Sequence, residues 1–108
     1  MAVEACCRTL TSILSLQKDP EHFIFLLKFA IFEVQSVVFE WRQLKIEDKI
    51  QLMPLAEELV HLCNNIIEII GQLQCRDNCT QLCKQRFIDV VNYLRKKFKP
   101  ALVALGYI

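Results

Sequence analysis

A chain of 108 residues with 54 % apolar side chains has the size of one ordinary domain and can bury a core without disulfide or metal staples. Only two glycines and three prolines interrupt it, too few for the many turns of an all-β fold. The formal net charge of +1 excludes a strong overall field, although the halves differ: residues 1–74 carry a net −4 and residues 75–108 a net +5.

In the first segment Val3, Cys6, Cys7, Leu10, Ile13 and Leu14 recur every three or four residues and predict a helix over 3–17. Lys18-Asp19-Pro20 ends it. Asp19 suits the N-cap of the next helix, with Pro20 at its first position and Glu21 in its first turn.

The second helix, over 20–43, carries the strongest signal. At 100° per residue, Phe23, Ile24, Leu26, Leu27, Ala30, Ile31, Val34, Val37, Val38 and Trp41 share an arc of about 160°, the expected core face. Phe25, Phe29, Phe32 and Phe39 fall opposite, with Ser36 between the last two. Lys28, Gln35 and Arg42 mark one border of the core arc, and His22, Glu33 and Glu40 the other. A bundle helix needs one apolar face, and this one has two. The second face is covered within the chain by the first helix and the apolar tail 101–108, or it receives a protein partner or a second copy, or it meets lipid.

Gln43-Leu44-Lys45 breaks the chain before a third helix over 46–73, within which Pro54 predicts a kink or a fresh start. Leu55, Leu59, Leu62, Cys63, Ile66, Ile67, Ile70 and Leu73 form its apolar side. Glu57, Glu58, His61, Asn64, Asn65, Glu68 and Gln72 form the polar one. After a connection capped by Asp77 or Asn78, the fourth helix spans 79–99. Its expected core stripe is Cys79, Leu82, Cys83, Phe87, Val90, Val91, Leu94 and Phe98, and Pro100 breaks or restarts it.

No repeat of 30–50 residues is visible. Short connections between long amphipathic helices predict an all-α, single-domain four-helix up-down bundle over 1–108 with coiled-coil-like packing. Two helical hairpins of an α-solenoid are the alternative.

The chemistry-bearing residues are sparse. Cys75, Cys79 and Cys83 are spaced i, i+4, i+8, and with His61 or Cys63 they could bind zinc, but no CxxC occurs. The six cysteines are therefore expected to be structural thiols, with no metal and no cofactor. Neither His22 nor His61 sits in a nucleophile context, and no ExxH pair or phosphate-cradling Gly loop appears, so the chain is not expected to be an enzyme. Lys84, Arg86, Arg95, Lys96, Lys97 and Lys99 are the only candidates for polyanion contact, as one stripe on the last helix. Charges near a helix C-terminus also serve the macrodipole, and nucleic acid is not the favoured partner.

The chain starts with no charged leader, and its most apolar run, 23–32, contains Lys28. That run is well short of the ~20 residues of a span, so no transmembrane segment is expected, and an intracellular setting in cytoplasm or nucleus is. The function these observations favour is a non-catalytic protein–protein interaction module of a scaffold or adaptor, docking a partner helix or a second copy on Phe25, Phe29, Phe32 and Phe39. Contact of the basic last helix with nucleic acid or acidic lipid, and binding of an apolar ligand between helices, are the alternatives.

Overall fold

The computed structural model describes the backbone of residues 2–15, 20–72 and 78–106. It contains four helices: α1 (Ala2–Ser15), α2 (Pro20–Gln43), α3 (Ile46–Gln72) and α4 (Asn78–Ala104). No strand occurs among the described residues. The molecule measures 45 × 22 × 21 Å, a little longer than the ~40 Å of a 27-residue helix and as wide as two helices side by side.

α1 packs on α2 and α3, and α4 packs on the same two. The ring order is therefore α1–α2–α4–α3, with α2 and α3 at opposite corners. Directions follow from local contacts. The Ala2 amide donates to the Glu40 carboxylate at 2.7 Å, which sets the start of α1 beside the last turns of α2 and makes the two antiparallel. The two-residue connection Leu44-Lys45 turns the chain back into α3. Lys28 and Ile31 share a groove with Leu82, Cys83 and Arg86, while Trp41 meets Phe98 at the far end, so α2 and α4 run parallel. The helices alternate up and down, but the α2–α3 connection crosses the diagonal. Four helix pairs close one ring around one core, which is a bundle and not stacked solenoid hairpins.

The core is the set of apolar stripes read along the chain. Phe23, Leu27, Ala30, Val34, Val37, Val38 and Trp41 are buried from α2, and Leu59, Cys63, Ile66 and Ile70 from α3. Phe87, Val91, Leu94 and Phe98 are buried from α4. Trp41 closes one end, its ring 4.6 Å from that of Phe98 and under the Lys49 ammonium.

Three expectations are corrected. Leu82 is half exposed and Val90 only partly buried, because the core face of α4 centres on Phe87, Val91, Leu94 and Phe98. No fresh start follows Pro54: α3 runs as one helix through it, and the proline lies exposed, where water can satisfy the carbonyl that the missing donor leaves free. α4 continues through Pro100 to Ala104, its last turn held by buried Ala101 and half-buried Leu102. The helix then ends on Gly106, whose φ of 81° is the left-handed conformation of a C-terminal stop. The expected caps at Asp19 and at Asp77 or Asn78, and the core position Leu73, lie outside the residues and side chains described.

Candidate interaction surface

α2 occupies a corner of the bundle, so its neighbours cover only part of its circumference. The inner arc is buried, as the period of its apolar residues requires. The outer arc carries Phe25, Phe29, Phe32 and Phe39, which remain 55 %, 55 %, 70 % and 66 % exposed. α1 and α4 flank this row without covering it. The 101–106 segment does not reach it either, since it extends α4 beyond the Trp41–Phe98 end.

The row has a regular register. Phe25, Phe29, Phe32, Ser36, Phe39 and Gln43 follow one another at alternating steps of four and three, the a/d spacing of a coiled-coil seam. Phe25 and Phe29 meet edge to face, with ring centroids 5.6 Å apart. The Ser36 hydroxyl donates to the Phe32 carbonyl at 3.1 Å, so the one small polar residue in the row has its donor satisfied within its own helix. This second, complete seam is the feature missed when the four Phe are read only as an apolar surplus. The spacing that reveals it is present in the sequence.

The borders differ in charge. Toward α1 lie Glu33, which shares a groove with Phe29, Thr9 and Ser12, and Glu40. Toward α4 lie Lys28, Gln35 and Arg86, with Asp89 among them. Phe29 lines the groove on the α1 side and Phe32 the one that holds Gln35, Arg86 and Asp89.

The basic residues of α4 do not form one stripe. Lys84 is buried, and Arg95 is half-buried and bonds Asn92 at 3.3 Å. Arg86 faces the α2 groove, Lys97 lies over the Tyr93 ring, and Lys96 and Lys99 are exposed. By the helical period these six cations point to opposite sides of α4.

Cys6, Cys7, Cys63 and Cys83 are buried free thiols. Burial pushes the Cys63 thiol up to about 12, with the Arg95 guanidinium pulling the other way. Burial and the carboxylates of Glu58 and Glu4 push Cys7 up to about 11, and burial also raises Cys6 and Cys83. Thiols held protonated in this way are poor nucleophiles. His61 points to solvent beside Glu57 at 4.0 Å, on the side of α3 away from Cys63, so the two do not converge on a site. Among the described residues no three His, Cys, Asp or Glu side chains are grouped to hold a metal. Cys75 and the Cys79 side chain lie outside those residues.

Counting only the uninterrupted run 23–32 understated α2. Taken whole, His22–Gln43 is 22 residues and, by length and composition, apolar enough to cross a membrane, a property shared by core helices of water-soluble bundles. Here one third of its apolar stretch is buried against the other helices. Comparison with protein-family models, with curated proteins and with solved structures gave no match.

Proposed function

We propose that this chain is a non-catalytic interaction module that docks a partner helix or a second copy on the outer face of α2. The observation that carries this reading is the row Phe25, Phe29, Phe32 and Phe39, exposed on a helix whose inner face is already filled. Taking about 200 Å² per Phe, the row exposes roughly 500 Å² of aromatic surface, near the upper end of the largest patch on a typical monomer. Water makes such a surface unfavourable, and a covering helix removes the cost. The a/d spacing of the row suits a helix as the covering element.

The double substitution Phe29→Glu/Phe32→Glu tests the proposal. Both side chains are exposed, so the bundle should keep its helicity and its cooperative melt. Its association, read as solution mass or as capture of a purified partner, should fall by at least a hundredfold. A folded double variant whose association is unchanged would remove the proposal.

Lipid contact through the same face is a second reading, supported by the length and apolarity of His22–Gln43. It requires either a surface-lying bundle or an α2 that gives up its buried inner face.

A further inference from the structure

The charged borders of the Phe row select among its possible occupants. With Phe25, Phe32 and Phe39 at d positions and Phe29, Ser36 and Gln43 at a, the flanking g positions are Lys28, Gln35 and Arg42, and the e positions are Leu26, Glu33 and Glu40. One flank is thus basic to neutral and the other acidic. Two such helices laid parallel bring the g flank of one against the e flank of the other, five residues on, whereas an antiparallel pair sets g against g and e against e. We propose that the occupant is a second copy of this chain, its α2 parallel and in register with the first, with Lys28 of each copy paired with the partner's Glu33. The proposal rests on the reading that the outer face of α2 is an interface.

Several observations support it. The parallel arrangement sets Lys28 against the partner's Glu33 and Gln35 against the partner's Glu40. The antiparallel one, centred on the row, sets Lys28 against the partner's Arg42 and Glu33 against the partner's Glu33. Within one helix Lys28 and Glu33 are five residues apart and point about 140° away from each other, so they have no use for one another in the same chain. In-register pairing is also what a closed two-fold dimer demands, since a stagger would leave an open chain of subunits.

At the centre of the row the two Ser36 residues would approach across the axis. Ser36 is small, and its hydroxyl already donates to Phe32, so burying it leaves no unpaired donor and opens a hole for the large rings on either side. The exposed area of the four Phe, doubled, is roughly 1,000 Å², the lower bound for a specific interface before the flanking residues are added. A lipid surface would not select opposite charges on the two borders, because helices lying in a bilayer interface favour Lys and Arg on their polar face.

Equilibrium sedimentation of the whole chain, from low to high micromolar concentration, tests the pairing. The wild type should fit a monomer–dimer equilibrium, and Phe32→Glu should be monomeric. Lys28→Glu alone and Glu33→Lys alone each place two like-charge contacts in the dimer and should weaken it about tenfold. The double variant Lys28→Glu/Glu33→Lys should return to within about threefold of wild type, because it exchanges both partners of each pair. Circular dichroism of each variant should match wild type, since all three positions are exposed or border exposed surface. A dimer that Phe32→Glu abolishes but that the double swap fails to rescue overturns the parallel pairing and leaves the Phe face as an interface. A dimer indifferent to Phe32→Glu overturns both. A wild type that stays monomeric throughout, and co-sediments with phosphatidylcholine–phosphatidylserine vesicles unless Phe32 is Glu, overturns the second copy in favour of lipid. A monomer that does neither overturns it as well.

Discussion

α2 and α3 stand at opposite corners of the same ring, each flanked by α1 and α4, so geometry asks the same of both: one buried arc and one solvated arc. Past its first turns, which expose Ile46 and Ile50, α3 complies: its outer side is Glu57, His61, Asn65, Glu68 and Gln72, and its inner side is Leu59, Cys63, Ile66 and Ile70. α2 fills its inner arc just as completely and then repeats an apolar row on the outside. The fold explains α3 beyond Ile50 and the inner half of α2, and it gives no account of the outer half of α2. What differs between the two corners is therefore what remains to be assigned to function.

The largest expected effects lie on the side the two corners share. Leu27 of α2 and Leu59 of α3 are both fully buried, and truncation of either to Ala should cost ~2–5 kcal/mol, read as a lower urea midpoint at unchanged slope. Similar losses would confirm that the two inner arcs carry equal weight. If Leu27→Ala were neutral, α2 would be a loosely held helix and the membrane reading would gain.

Next in size is a transfer of the surface itself. Glu57 and His61 hold the exposed positions on α3 that Phe25 and Phe29 hold on α2. Glu57→Phe/His61→Phe/Glu68→Phe should leave the fold intact, lower solubility and create new concentration-dependent association. If it does not, a Phe row alone is insufficient, and the charged borders of α2 are part of the recognition.

Much of this was legible in the residues, and what was not has physical reasons. The periods of Phe23 to Trp41 and of Leu55 to Ile70 place the inner arcs, since a side chain's azimuth is fixed once the chain is helical. The break at Leu44-Lys45 and the start at Pro20 are local chemistry and stand where expected. Ring order was not legible. A short connection says that consecutive helices reverse, but not whether they sit side by side or across the diagonal, because that choice depends on contacts between residues distant in sequence. The fresh start after Pro54 and the break at Pro100 are absent for the same reason: packing of Leu52, Met53, Ala56 and Ala101 holds the helix through a local defect. The basic residues of α4 were grouped by sequence proximity, whereas azimuth separates Lys84 and Arg95 from Arg86 and Lys97.

A pH-dependent effect concerns the thiols between α1 and α3. Burial raises the Cys6 and Cys63 thiols above the ordinary value near 9, Cys63 to about 12. Below pH 9 both folded and unfolded chains hold these protons. Above it the unfolded chain releases them while the folded chain retains them, so the stability present below pH 9 is lost as pH rises toward 12. The slope should approach about 1.4 kcal/mol per pH unit for each fully buried thiol. Urea midpoints measured on either side of pH 9 should fall with rising pH, and Cys63→Ala should flatten the fall. A flat profile in the parent chain would mean that these thiols are reached by water.

The smallest effect is the most discriminating for the comparison of corners. Phe29 is half exposed, and its ring meets that of Phe25 edge to face. Such a contact contributes ~0.5–1.5 kcal/mol beyond burial in favourable cases, and less where water reaches both rings. Measured at concentrations low enough to keep the chain monomeric, Phe29→Ala should therefore shift stability by less than about 1 kcal/mol, against several for Leu27→Ala two residues away. At high concentration the same substitution should cost more, because a dimer that buries Phe29 adds its association energy to the apparent stability. The difference between the two concentrations isolates the contribution of the outer row. If Phe29→Ala costs the same few tenths of a kcal/mol at both, the row is an unpaired surface like that of α3, and the two corners differ in composition only.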